Sequence, residues 1–359
     1  MSVQLDTKNF SEEVLARRLG RHNVSAYRAG QILRWIYHRN VRSFSQMTDL
    51  SKDLRRLLSS ELTISRLEPI RVRASADGSK KYLFRLKDGH HIESVLIPER
   101  GHRTLCVSSQ VGCAMGCKFC LTGRMGFVRN LEPAEIVNQV CAVQDDPADP
   151  DRLTNIVFMG MGEPLANYDN VVQAIGSITS NNGLQFSNRR VTLSTAGLAP
   201  RIDDLGRDIT ANLAVSLNAA DNETRNELMP INGTYPIDML LSSCRSFPLP
   251  SRRMITFEYV LIAGVNDGRE AAKRLAKLLR PLRAKINLIP FNSFDGSSFA
   301  RPEESAILDF QKVLTDDHYT AIIRQSKGGD IGAACGQLSA KGKTITKSRK
   351  DEITKEKIV

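Results

Sequence analysis

At 359 residues with 41% hydrophobic content, the chain can bury a sizeable core and exceeds the usual single-domain length, so a catalytic domain with an accessory one is expected. A formal charge of +11 points to a polyanionic partner, no apolar run approaches the roughly 18 residues of a membrane span, and the opening MSVQLDTKNFSEEV lacks the basic-then-apolar order of a secretory signal. Seven cysteines, an odd number with three clustered, do not form a secreted disulfide framework and place the chain in a reducing, cytoplasmic compartment.

Residues 10–62 read as several short helices. In AYRAGQILRWIYHRN, Ile32, Leu33, Trp35, Ile36 and Tyr37 make an apolar stripe bordered by Arg28, Arg34, Arg39 and Arg42, and TDLSKDLRRLL reads as a second amphipathic helix with a Ser or Asp start. Trp35, the only tryptophan, is assigned to the core rather than to stacking on a base. Residues 15–74 carry thirteen Arg or Lys against four Asp or Glu, an asymmetry that favours nucleic acid.

Over residues 66–98 the period becomes two: KKYLFRL, a DG turn and HHIESVLIP predict a hairpin. Thereafter strands predicted at 103–108, 154–159, 190–194, 213–217, 254–261, 286–290 and 320–325 alternate with helical patterns such as PAEIVNQVCAV, YDNVVQAIGSI and GREAAKRLAKLL, which is the order of parallel β/α units. Polar motifs, among them Gly160–Glu163, Ser194–Gly197, Ser216–Asn218, Gly264–Asn266 and Pro290–Asn292, fall at the C-terminal ends of these strands, where barrel active sites are built. The final stretch, 341–359, is polar, lysine-rich and aperiodic, and reads as a disordered tail.

The chemistry concentrates at Cys113, Cys117 and Cys120 in VGCAMGCKFCLTG. Three thiolates hold three corners of an iron-sulfur cubane and leave the fourth iron open to a substrate or cofactor. A zinc site would need a fourth ligand, for which His102 is the nearby candidate, and this spacing is not among the usual zinc spacings.

With C-K-F-C, the triad resembles the signature of radical S-adenosylmethionine (SAM) enzymes. CVSSQVGCAMGCKFCLTGRMGFVRNL, FMGMGEPLANYDNV, VTLSTAG, AVSLNA and GGDIGAACGQL together resemble the RlmN/Cfr family of RNA adenosine methyltransferases, from about residue 15 to about residue 340. The resemblance implies an α/β fold: a partial (β/α)6 radical SAM barrel over 99–330, an N-terminal basic helical accessory domain over 1–65, a β-hairpin extension over 66–98, and a loop over 331–340 carrying Cys335.

It further implies one 4Fe-4S cluster on the three cysteines and two SAM molecules per turnover, with SAM bound to the open iron through its amino and carboxylate groups. Gly162 and Glu163 would contact the SAM amino group, Ser194 and Ser216, Leu217 and Asn218 its carboxylate or ribose, and Asn292 the adenine side. Asn218 stands where the family commonly has His, and an acid at 163 independently suits an ammonium group.

By the same resemblance, Cys335 accepts a methyl from one SAM. A 5′-deoxyadenosyl radical from a second SAM then abstracts hydrogen from that methyl, and the methylene radical adds to an adenine carbon. Glu93 removes the ring proton and Cys106 resolves the adduct by forming a disulfide with Cys335. Cys141 and Cys244, within helical patterns, read as core.

The implied substrates are C2 of an adenosine in the peptidyl-transferase loop of 23S rRNA and an adenosine in certain tRNAs, with Cfr-like methylation at C8 as the alternative. The N-terminal module, which looks more like RlmN than Cfr, favours C2. Flavodoxin is the implied electron donor, and a monomer without membrane attachment is expected. A non-catalytic RNA-binding protein with a structural cluster would account for the charge and the cysteine trio, yet leaves Cys335 and Glu163 without a purpose.

Overall fold

The computed structural model describes residues 4–146 and 151–340; the tail expected over 341–359 lies outside the described residues. The N-terminal module contains α1 (Glu12–Gly20), α2 (Tyr27–Tyr37) and α3 (Lys52–Glu61), closed by a parallel pair of two-residue strands at Leu5–Asp6 and Leu62–Thr63. Serine starts two of the helices: the Ser11 hydroxyl accepts from the Val14 amide and the Ser51 hydroxyl from the Leu54 amide, satisfying donors that the first helical turn leaves free. Their apolar faces form a core of their own, including Leu15, Leu19, Ile32, Ile36, Leu54 and Leu58. Trp35 belongs to it. Its Nε1 donates to Asp49 Oδ1 at 2.5 Å and the Arg39 guanidinium covers its ring at 4.2 Å, so the indole is spent on the fold rather than offered to a base.

A buried lysine docks this module on the barrel. Lys8 Nζ donates to the Ser65 carbonyl at 3.2 Å and to Asn138 Oδ1 at 2.5 Å, while Asn138 Nδ2 donates to Ser65 Oγ at 2.7 Å. Asn138 lies on α5 (Pro133–Gln144), which is preceded in the chain by the short α4 (Leu121–Arg124). Burial lowers the Lys8 pKa.

One ten-stranded sheet organises the rest, and its spatial order simply follows the chain. Strands β1 (Pro69–Ala74), β2 (Lys80–Arg85), β3 (His91–Glu99) and β4 (His102–Cys106) are mutually antiparallel. From β4 onward the pairing is parallel through β5 (Asn155–Phe158), β6 (Val191–Thr195), β7 (Asn212–Ser216), β8 (Ile255–Leu261), β9 (Ala284–Pro290) and the short β10 (Ala321–Ile323). These are the seven strands expected from the sequence: a (β/α)6 partial barrel with a short seventh strand.

The β2–β3 pair is the expected hairpin, with two additions. A third strand, β1, lies on its outer edge with all six residues exposed, and β3 pairs directly with β4, so the extension continues the barrel sheet.

Alternation along the barrel strands assigns their two faces. On β8, Ile255, Phe257, Tyr259 and Leu261 join the main apolar core under the helices, which turns Thr256, Glu258 and Val260 toward the barrel interior. Cys141 and Cys244 are buried on helices, as read. Among the described residues, no helix is long and apolar enough to cross a membrane.

Candidate active site

The cysteine triad sits in a loop pinched shut by a short antiparallel ribbon, Gln110–Gly112 against Phe127–Asn130, which periodicity did not reveal. Gly112 is essential to the pinch. It has φ +73°, and a Cβ there would lie 1.9 Å from the Gly126 carbonyl oxygen. Across the same neck the Cys113 amide donates to Gly126 O at 2.9 Å.

Within the loop, Cys113 and Cys117 are close enough to each other and to Cys120 for neighbouring thiolate charge to be felt. Burial is the larger cause and pushes Cys113 up to about 12, with Cys117 and Cys120 raised in the same way. The metal-free thiols are therefore neutral, and metal binding displaces their protons. Among the described residues no three His, Cys, Asp or Glu side chains converge on a single ion, and His102 is engaged by Glu99 at 2.5 Å. Three soft thiolate donors on one loop fit an iron-sulfur cluster.

The strand ends of β5 to β9 bring the expected SAM-contacting residues to the same side. Gly162 has φ +103°, and a Cβ would meet the Gln110 Cβ at 2.5 Å, so only glycine lets these two segments touch. Buried Glu163 spans two strand ends: Oε1 accepts from the Leu165 amide at 3.0 Å and Oε2 from the Ala196 amide at 2.7 Å. Burial raises its pKa to about 7 against these hydrogen bonds.

Ser194 and Ser216 are half-buried at the ends of β6 and β7. Leu217 is fully buried, and Asn218 holds a left-handed φ of +60°. Both ends of the Asn218 carboxamide are engaged by protein: Oδ1 accepts from the Val260 amide at 2.8 Å and Nδ2 faces the Met229 sulfur at 3.1 Å. Asn292 Nδ2 donates to the Cys335 carbonyl at 3.1 Å, and its Oδ1 accepts from the Ser326 hydroxyl.

A residue that sequence reasoning missed holds these ends in place. Arg225, fully buried and without a carboxylate partner among the described residues, donates to the carbonyls of Leu217 (3.0 Å), Ala196 (2.7 Å) and Ser216 (3.3 Å) and to Asn232 Oδ1 (2.8 Å). Burial lowers its pKa to about 10. In the polar helix NETRNEL nothing marks it out. Arg225→Met should leave several buried carbonyls without donors, costing about 3 kcal/mol and weakening SAM binding. Urea denaturation and a SAM titration check this, and an unchanged midpoint with unchanged affinity would count against the clamp.

The loop carrying Cys335 is stitched to three elements. Leu121 N donates to Gly336 O (2.7 Å) and Thr122 Oγ1 to Leu338 O (2.6 Å), joining it to the cysteine-triad loop. Gln337 Nε2 donates to Ser293 O (2.8 Å), joining it to the segment after β9. On the hairpin side, Lys81 Nζ donates to Gly332 O (3.0 Å) and the Ser339 amide to Glu93 Oε2 (3.0 Å). Glu93 is buried, its other oxygen paired with Lys81 at 3.1 Å.

Cys335 itself is exposed, the one exposed cysteine among the described residues. Protein crowds the thiol enough for desolvation to push its pKa up to about 11, with the charge of Glu258 adding to the rise. Cys106, buried at the end of β4, is raised by burial and next by the charge of Cys335 itself, which places the two thiols in one electrostatic neighbourhood. Cys120 belongs to it too.

Comparison with known proteins covers most of the chain. Residues 6–64 match the profile of the ribosomal RNA large subunit methyltransferase N-terminal domain and residues 107–276 that of the radical SAM superfamily. Two similar relatives are named dual-specificity RNA methyltransferase RlmN. The protein from Desulfosudis oleivorans is 57% identical over 93% of this chain and 91% of its own length. That from Geobacter sulfurreducens is 55% identical over 95% of this chain and 94% of its own length. A crystal structure of a radical SAM methyltransferase from Sphaerobacter thermophilus, 43% identical, superposes with a TM-score of 0.87 over 94% of this chain and all of its own.

Proposed function

Because the chain belongs to the RlmN family of radical SAM RNA methyltransferases, we propose that it methylates C2 of an adenosine in the peptidyl-transferase loop of 23S rRNA, and an adenosine in certain tRNAs, through a methyl group carried on Cys335. Family membership brings SAM and a 4Fe-4S cluster; ligation by Cys113, Cys117 and Cys120 and the use of two SAM per turnover are part of the proposal. The observation that carries it is the closure of the Cys335 loop onto the cysteine-triad loop through the Leu121–Gly336 and Thr122–Leu338 hydrogen bonds, from distant parts of the chain.

When bound, the cluster supplies the electron that cleaves SAM. The residues do the rest. Cys335 accepts the methyl, and its carbon is then joined to the adenine ring, a route an electron-poor ring carbon requires because it cannot attack SAM directly. Glu93 takes the ring proton, supported by its position beside the Cys335 loop. Cys106 then attacks Cys335, forming a disulfide and releasing the base. Gly162, Glu163, Ser194, Ser216, Leu217, Asn218 and Asn292 surround SAM; Asn218, whose side chain and backbone groups are all bonded within the protein, acts by shaping the strand end.

RNA presenting an unpaired or extruded base suits an exposed thiol at the strand ends of a barrel, and the basic N-terminal module suits RNA backbone. The reductant is a flavodoxin-type donor. The test is nucleoside mass spectrometry of unmodified 23S rRNA and tRNA after incubation with anaerobically reconstituted protein, SAM and reductant. 2-Methyladenosine is expected in both RNAs; 8-methyladenosine would move the protein to Cfr-like chemistry, and neither product would overturn the assignment.

A further inference from the structure

The candidate active site occupies the C-terminal ends of the barrel strands; the opposite end is lined with arginine. Arg190 directly precedes β6, Arg253 stands two residues before β8 and Arg283 directly precedes β9, with Arg189 and Arg252 beside them in the chain. Strands of 5 to 7 residues separate this end from Ser194 and Asn292, roughly 20 Å at about 3.3 Å per residue. Hydrogen bonds tie the row together. Arg190 Nη1 donates to Asn155 Oδ1 at 3.2 Å, Asn212 Nδ2 to the Arg189 carbonyl at 2.9 Å, and Arg253 Nη1 to Asn212 Oδ1 at 3.2 Å. Arg283 Nη2 donates to the Leu249 carbonyl at 3.0 Å, and the Ile255 amide to the Arg283 carbonyl at 2.9 Å.

Charge along this row is uneven. At its flanks arginine is paired, Arg103 with Asp151 at 2.7 Å and Arg280 with Asp317 at 3.5 Å. Between them, Arg189, Arg190, Arg252, Arg253 and Arg283 have no carboxylate partner among the described residues, and all but Arg253 are exposed. Like charges on strands about 5 to 10 Å apart repel one another, so an unneutralised row favours a polyanion. The Arg189 and Arg252 guanidiniums bond nothing among the described residues. Arg252 also holds a left-handed φ of +64°, in the turn closed by the Arg253 amide on the Pro250 carbonyl. The turn thus presents an unpartnered guanidinium where glycine or asparagine would sit more easily.

The row meets the basic N-terminal module. The segment between α6 (Tyr168–Thr179) and β6, which carries Arg189 and Arg190, also receives α2: Arg34 Nη1 donates to Asn182 Oδ1 at 2.9 Å, and the His38 ring bonds the Gly183 carbonyl at 2.9 Å. We infer that module and row form one tract for RNA phosphates, by which the barrel holds 23S rRNA at a place remote from the adenosine it modifies, the identity of that RNA being taken from the proposed function. RNA is favoured over an acidic protein because the tract continues a module that carries thirteen Arg or Lys against four Asp or Glu over 15–74 and matches a ribosomal RNA methyltransferase domain. Guanidinium suits the task, since its forked N–H donors match phosphate oxygens two at a time.

The test compares two unmodified RNAs, a 23S rRNA transcript and a short hairpin presenting the target adenosine, by filter binding over a salt series. Arg189→Gln combined with Arg252→Asn removes the two unpartnered guanidiniums, and asparagine accepts the left-handed turn, so the fold is kept. Affinity for the transcript should fall roughly tenfold and its salt slope by about two, while hairpin binding and hairpin methylation stay as in the wild type. Lys273→Gln combined with Lys312→Gln, on the outer helices Arg269–Leu279 and Glu304–Asp316, removes the same net charge and should leave both RNAs unaffected. Unchanged transcript binding by the arginine variant would overturn the inference and leave a solvated surface. Equal losses with the lysine variant, or on the hairpin, would overturn it too, as an effect of net charge alone. Wild-type protein that binds the transcript through the row yet methylates neither RNA would overturn the proposed function and leave the tract standing.

Discussion

Cys335→Ala abolishes RNA methylation, with a loss of at least roughly a thousandfold, the scale on which removing a covalent nucleophile acts. The cluster and SAM binding survive, because the tethers on either side of residue 335 run through Gly332, Gly336, Gln337, Leu338 and Ser339, and Asn292 bonds the residue's backbone carbonyl rather than its thiol. The discriminating measurement is therefore paired: nucleoside mass spectrometry for product, and the iron-sulfur absorption spectrum with SAM titration for the rest. Normal methylation by this variant would falsify the carrier role; loss of cluster and product together would reveal a scaffold residue instead.

The second large effect is accumulation. If Cys106 releases the base by attacking Cys335, then Cys106→Ala halts after the carbon–carbon bond has formed, and protein and RNA remain covalently joined. Turnover should fall to at most about one product per enzyme, with a nuclease-sensitive species of reduced mobility on a denaturing gel. Cys106 is buried and its thiol is pushed upward in pKa, so the wild-type thiol rests neutral and attacks only once its proton is removed. Alanine replaces a small buried side chain and should cost the fold little beyond the lost sulfur. A clean gel with full turnover would remove Cys106 from the mechanism.

What the sequence made legible follows from range. The cysteine spacing is local, so three candidate ligands on one loop stand out directly. The barrel strands were legible because alternation along β6, β8 and β9 is imposed by helices on one face and an interior on the other. Strand β1 lacks that contrast: all six of its residues are exposed, so burial did not shape its sequence. The Gln110–Gly112 and Phe127–Asn130 ribbon is too short for a period and is marked only by its glycines.

Long-range meetings were not legible from the residues. Nothing local to Cys106 or Glu93 announces the Cys335 loop, and only resemblance linked them. Arg225 hides in a polar helix because its burial depends on carbonyls from other strand ends.

The stitching of the Cys335 loop also sets an order of biosynthesis. The triad at residues 113–120 leaves the ribosome well before residues 332–339, and the loop's tethers join it to partners made earlier, from Lys81 and Glu93 to Ser293. Contacts of such sequence separation form late in folding. A nascent chain thus has its cysteine triad in place before the Cys335 loop can close onto it, and the proposed methyl carrier joins the site after the barrel that receives it.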